Sequence, residues 1–136
     1  MAAAVRWLQD GAQRSAGGSL SMPLIHIQTS VPTPPDPAPL LRELSRELAA
    51  LLGKPERYVM TLLQGGVAMT FAGDAAPCAY VEVKSIGALD GASTRRLSAS
   101  LCPWLQRNLA VPEDRIYIGF EDVPARLWGW DGSTFG

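Results

Sequence analysis

Apolar residues recur along this chain with two periods, and the alternation between them lays out the fold. Leu24-Ile25-His26-Ile27-Gln28-Thr29 is a short run of β-formers and predicts a strand. Pro32, Pro34, Pro35, Pro37 and Pro39 then break it. Leu40, Leu41, Leu44, Leu48, Leu51 and Leu52 follow at steps of three and four, with Arg42, Glu43, Arg46 and Glu47 between them. That is one apolar stripe with a polar back, the pattern of an amphipathic helix. Asp36 is expected as its N-cap, Pro37 in its first turn and Gly53 as its C-cap. Tyr58 to Gln64 reads as the next strand, Gly65-Gly66 as a turn, and Val67 to Phe71 as a further short extended run.

The same order then returns. Ala79-Tyr80-Val81-Glu82-Val83-Lys84 alternates as a strand does, and Ser85-Ile86-Gly87 ends it. Leu97, Leu101, Trp104, Leu105 and Leu109 form a second helical stripe, which Pro103 is expected to kink or interrupt. Arg115 to Phe120 is the closing strand. The text around Pro55-Glu56-Arg57-Tyr58 resembles that around Pro112-Glu113-Asp114-Arg115, each just after a helix. The chain therefore reads as a duplicated β-α-β unit of roughly 55–60 residues. Right-handed crossovers put both helices on one face of a four-stranded mixed sheet, an α+β fold. The strands look apolar on both alternating sets. The face without helices is accordingly expected to be buried by other subunits.

Composition narrows the chemistry. At 136 residues the chain is one domain's worth. Residues 1–21 are rich in Ala, Gly and Ser and read as a flexible leader or upstream extension, with Met22 as the expected start and 22–136 as a single domain. The leader lacks a basic start followed by a long apolar run, so it is a poor secretory signal. Twelve basic and thirteen acidic residues leave a net charge of -1, which argues against a nucleic-acid partner. No run approaches the roughly 18 apolar residues of a membrane span. His26 is the only histidine, and Cys78 and Cys102 are the only cysteines. A zinc held by several imidazoles is excluded, and no metal or other cofactor is expected. Two isolated thiols read as buried and reduced, which places the protein in the cytoplasm, with release outside needing a route independent of a signal peptide.

Taken singly, the chemical candidates have ordinary explanations. Pro23 can simply open an edge strand. Lys54, just after Gly53, can oppose a helix dipole. Tyr117 can be core or interface, and Trp130 and Phe135 an apolar tail docked on the domain. Arg95-Arg96 reads as a solvated helix face.

Their order is more specific. Met22-Pro23-Leu24-Ile25, Thr29-Ser30-Val31-Pro32, Gly53-Lys54-Pro55 with Tyr58, Pro77-Cys78-Ala79, Ser85-Ile86-Gly87, Asp114-Arg115-Ile116-Tyr117-Ile118, and Gly129-Trp130 with Ser133-Thr134-Phe135 occur in this sequence. Together they resemble the macrophage migration inhibitory factor family of the tautomerase superfamily, across essentially all of 22–136. The resemblance implies a homotrimer and keto–enol tautomerisation of phenylpyruvate-like or dopachrome-like substrates, small aromatic α-keto acids among them. It implies that Pro23, freed as the amino terminus, is the general base. A proline nitrogen inside a chain is an amide without a basic lone pair. At an amino terminus it is a secondary amine, and an apolar pocket lowers its pKa toward neutrality. The resemblance further assigns Lys54 to the substrate carboxylate or enolate oxygen and the Ile86 backbone N–H to substrate. It sends Tyr117 into a neighbouring subunit's pocket and makes Trp130 and Phe135 aromatic walls.

Three departures accompany the match. Cys78-Ala79-Tyr80-Val81 stands where many members have Cys-x-x-Cys, so a thiol–disulfide activity is not expected. Gly119 replaces a frequent asparagine, and Trp128 a small aliphatic residue, which reshapes the pocket rim. A non-catalytic trimeric, cytokine-like signalling protein of the same fold, with a protein receptor, is the alternative reading. A ferredoxin-like ligand-binding module outside the family is the third.

Overall fold

The computed structural model describes residues 22–136; the leader assigned to 1–21 lies outside the described residues. Strand β1 (Leu24–Thr29), helix α1 (Ala38–Leu52) and strand β2 (Met60–Gln64) form the first unit. Strand β3 (Ala79–Ser85), helix α2 (Gly91–Leu109) and strand β4 (Ile116–Asp122) form the second. A short ribbon of β5 (Gly129–Trp130) and β6 (Ser133–Thr134) follows. The four-stranded sheet has the order β2-β1-β3-β4. β1 runs parallel to β2, β3 parallel to β4, and the two units meet where β1 pairs antiparallel with β3. This is the mixed sheet the duplication predicts.

Both helices cover one face. Ile25 and Ile27 of β1 and Val81 and Val83 of β3 pack with Leu44, Leu48, Leu97, Leu101, Trp104 and Leu105 into a single core. α1 ends as expected: Gly53 takes the left-handed conformation (φ 64°), and the Lys54 N–H bonds the Ala49 carbonyl at 2.9 Å. α2 begins six residues before its apolar stripe. Asp90 caps it, accepting from the Ser93 N–H at 2.8 Å, while the Ser93 hydroxyl accepts from the Asp90 N–H at 2.9 Å. These bonds from Ser93 hold the Asp90 carboxyl below its ordinary pKa.

Four local expectations are corrected. Asp36 does not cap α1; Pro37 occupies the N-cap position with no side-chain bond, and the helix starts one residue after it. Its Pro-rich approach leaves few free N–H groups for a cap to satisfy. The second strand starts at Met60, because Glu56–Tyr58 close a 3₁₀ turn first. Val67 to Phe71 forms no strand; the Val67 N–H bonds the Thr29 carbonyl at 3.0 Å, and past it the segment makes an isolated bridge between Phe71 and Asp74 instead of a ladder among the described residues. Pro103 does not interrupt α2, which runs through it. Its missing donor affects the carbonyl of Ala99, an exposed residue that water can serve.

The largest correction concerns the face without helices. Its residues form three cross-strand rows: Met60, Leu24, Lys84 and Glu121; Leu62, His26, Glu82 and Gly119; Gln64, Gln28, Tyr80 and Tyr117. Most are polar and they bond to one another. The His26 ring and the Gln28 amide meet the Gln64 carbonyl oxygen at 2.9 and 3.1 Å, and Tyr80 donates to Glu82 at 3.0 Å. Lys84 pairs with Glu121 at 3.5 Å. The apolar character read into both alternating sets belongs to one. On this face only Leu24, Met60 and Leu62 are aliphatic, so hydrophobic burial of the whole face is not what assembly can rest on.

Trp104 carries a testable irregularity. It is 1% exposed, and its indole N–H has no hydrogen-bond partner. An orphaned buried donor costs about 1–3 kcal/mol. Trp104→Phe removes that donor but leaves a void of comparable cost, so its unfolding free energy is expected within about 1 kcal/mol of the parent. Trp104→Ala is expected to lose about 3–5 kcal/mol. Chemical denaturation of the two variants checks the pair, and equal losses contradict the account of the orphaned N–H.

Candidate active site

Pro23 opens β1 at the point where the sheet ladder begins. The Met60 N–H bonds its carbonyl at 3.0 Å, which fixes the residue against β2. Pro23 is buried, and so is Met22, only 4% exposed. Met22 packs with Ile86 and Phe135, and Tyr58, Ala125 and Trp128 lie against that group. These residues come from five stretches of chain, and they form an apolar cluster separate from the main core.

Each is placed by its local structure. Ile86 sits one residue past β3. The turn there is tied to the end of β4: the Gly87 N–H bonds the Asp122 carboxylate at 2.8 Å, and the Val123 N–H bonds the Ser85 carbonyl at 2.8 Å. Tyr58 ends the 3₁₀ turn after α1. The β5–β6 ribbon folds the carboxyl end back, with the Phe135 N–H on the Trp128 carbonyl at 3.2 Å. Trp130 stacks on Phe135 (5.8 Å between centroids, 17° between planes) and meets the edge of Tyr58 at 6.1 Å and 88°. The result is an aromatic wall beside an open cleft of about 220 Å³, lined by Pro23, Tyr58, Trp128 and Trp130 among others.

Pro23, Ile86, Trp130 and Phe135 are thus brought together. Lys54 is half-buried but is not among the residues lining the cleft; burial pulls its ammonium below the ordinary pKa. Tyr117 stands elsewhere. It is 66% exposed on β4, its ring 5.0 Å from Phe71, beside a second cavity of about 370 Å³ that also includes Cys78 and Tyr80. Arg115 braces that region, donating to the carbonyls of Asp74, Ala76 and Pro77. In Pro23's own cleft, Tyr58 and Arg57 are present without having been singled out as site residues, and Trp128 stands there as a rim residue. Tyr58 carried a signal, since it follows Gly53-Lys54-Pro55 at a fixed distance. Arg57 carried none.

In its unprocessed form the cleft offers apolar and aromatic surface but no base, because the Pro23 nitrogen is acylated by Met22. No cluster of three potential metal ligands occurs among the described residues. No helix among them is long and apolar enough to cross a membrane.

Cys78 is buried beside Ser30, whose hydroxyl accepts from the Cys78 N–H at 3.2 Å, with Sγ 4.0 Å from that oxygen. A serine hydroxyl at the same place can bond the Ser30 hydroxyl. Cys78→Ser is therefore expected to shift stability by less than about 1.5 kcal/mol and to leave any activity of the Pro23 cleft unchanged, as melting and rate measurements can check. A still-folded but inactive variant contradicts this.

Residues 22–136 match the family model described as macrophage migration inhibitory factor. The protein of that name from Meriones unguiculatus is 41% identical over 114 residues, 84% of this chain and 99% of its own length. The homolog from Brugia malayi is 37% identical over 115 residues, 85% of this chain and all of its own. The crystal structure of the homologue from Prochlorococcus marinus superposes with a TM-score of 0.81 at 65% identity, covering 83% of this chain and 99% of that one. Since relatives consist almost wholly of the matched segment, that segment suffices for the fold. A duplicated β-α-β sheet, a proline at the start of its first strand and a match across all of 22–136 place this chain in the macrophage migration inhibitory factor family.

Proposed function

We propose that the chain beginning at Pro23 is a keto–enol tautomerase of small aromatic α-keto acids such as phenylpyruvate, with dopachrome-like compounds as related substrates. The observation that carries this reading is the packing of Met22 against Ile86 and Phe135, with the buried Pro23 next to it lining a cleft that Tyr58, Trp128 and Trp130 share. Removing Met22 does two things at once. It frees a secondary amine in an apolar setting that disfavours its protonated form, and it vacates space beside an aromatic wall. The amine takes a proton from the carbon next to the ketone, leaving an enolate, and the protonated amine delivers that proton to the enolate oxygen, which gives the enol and restores the neutral amine. Ile86's N–H and Lys54 are the proposed partners of the developing negative charge, and Trp130 and Phe135 hold the ring.

Assembly as a homotrimer belongs to the same proposal. Tyr117 is exposed and apart from its own chain's cleft, and residues 68–70 belong to no strand of the described sheets. A neighbouring copy would use both. The non-catalytic reading has one observation in its favour: with Met22 retained, its side chain is packed against Ile86 and Phe135 and the Pro23 nitrogen is an amide. The test is the rate of phenylpyruvate enolisation by the chain beginning at Pro23 against the chain that keeps residues 1–22.

A further inference from the structure

We infer that Arg57 is a specificity-determining residue of the Pro23 cleft, selecting substrates by their carboxylate. The inference rests on the reading of that cleft as the substrate site. Ten residues line the cleft, and Arg57 is the only one with a formal charge. Its guanidinium lies 4.8 Å from the centre of the Tyr58 ring. Tyr58 in turn meets Trp130 edge-on, so the cation is seated on the aromatic wall rather than loose at the surface. Among the described residues no carboxylate lies within ion-pairing distance of it.

This arrangement fits one class of ligand. A guanidinium stacked on an aromatic ring keeps its edge donors directed outward in the plane of the fork. A planar carboxylate is the group that fork matches with two parallel bonds. A flat aromatic α-keto acid can then place its ring along Trp130 and its carboxylate at Arg57, with its enolisable carbon between. Lys54, which the family resemblance assigns to the anion, does not line this cleft. Arg57 is exposed, so solvent screens it, and one charged contact of this kind is worth about tenfold in affinity rather than thousands.

Benzoylformate separates this inference from the proton chemistry. It is an aromatic α-keto acid with no hydrogen on the carbon beside the ketone, so it binds without enolising. The experiment titrates it, and its methyl ester, into the chain beginning at Pro23 by calorimetry. Arg57→Gln is expected to weaken the acid about tenfold and the ester less than twofold, with Arg57→Lys between. Arg57 is exposed, so the melting temperature is expected to change little. The inference is overturned if the parent binds neither compound, if Arg57→Gln weakens acid and ester alike or neither, or if Lys54→Gln alone reproduces the carboxylate-selective loss. Charge-selective binding without phenylpyruvate turnover sinks the Pro23 base and leaves Arg57 standing. Turnover with a silent Arg57→Gln does the reverse.

Discussion

A single alanine inserted between Met22 and Pro23 is expected to abolish phenylpyruvate tautomerisation that the chain beginning at Pro23 performs. The insertion leaves every side chain of the cleft in the sequence and keeps the Pro23 nitrogen acylated after Met22 is removed. Before it, removal of Met22 exposes a secondary amine; after it, the nitrogen stays an amide and has no lone pair to accept a proton. A positioned general base contributes about 10²–10⁴-fold, so the loss should be of that order. Pro23→Gly discriminates further. It retains a free amine, but a primary one on a backbone with more freedom, and is expected to lose much of the rate without losing all of it. The chain that keeps residues 1–22 should match the insertion variant. It also holds the Met22 side chain among Ile86, Phe135 and Trp128, so it fails on space as well as on chemistry. Near-normal turnover by that chain, with its leader shown intact by mass spectrometry, rules out Pro23 as the base.

Much of this architecture can be read from the residues. The leucine stripe of α1 and its Gly53 cap follow from helical periodicity and the left-handed turn glycine permits. The duplication sets the strand order, because two right-handed crossovers joined back to back leave few topologies. What escaped was mostly relational. The capping pair Asp90 and Ser93 is a local signal, yet it lies seven and four residues before the stripe that drew attention to α2. Which alternate set of a strand is polar depends on register, and in β2 and β4 short runs mix both characters. Arg57 enters the cleft through a 3₁₀ turn, where no periodicity fixes direction, whereas Trp128 stands at the rim, as its departure from the family pattern implied. Tyr117 sits away from Pro23 within one chain, a separation that periodicity does not encode and that only the family resemblance implied.

The second large effect expected is at Phe135, and it distinguishes the site from the fold. Phe135 is 4% exposed, yet it belongs to the small cluster with Met22 and Ile86 rather than to the core between helices and sheet. Its ring supports Trp130 by stacking, and Trp130 supports Tyr58. Phe135→Ala therefore removes the inner end of a three-ring wall. In the chain beginning at Pro23, kcat/KM for phenylpyruvate is expected to fall about 5- to 150-fold, since a lost aromatic contact and a loosened neighbour each weigh about 0.5–1.5 kcal/mol. Leu105→Ala is the counterpart. Leu105 is fully buried in the main core, and its truncation is expected to cost about 2–5 kcal/mol of stability while leaving the cleft's residues in place. Assayed well below its lowered melting point, the Leu105 variant should keep its rate, whereas the Phe135 variant should keep more of its stability and lose its rate. If both variants lose stability and activity in proportion, the aromatic wall is part of the structural core and has no separate share in binding the ring.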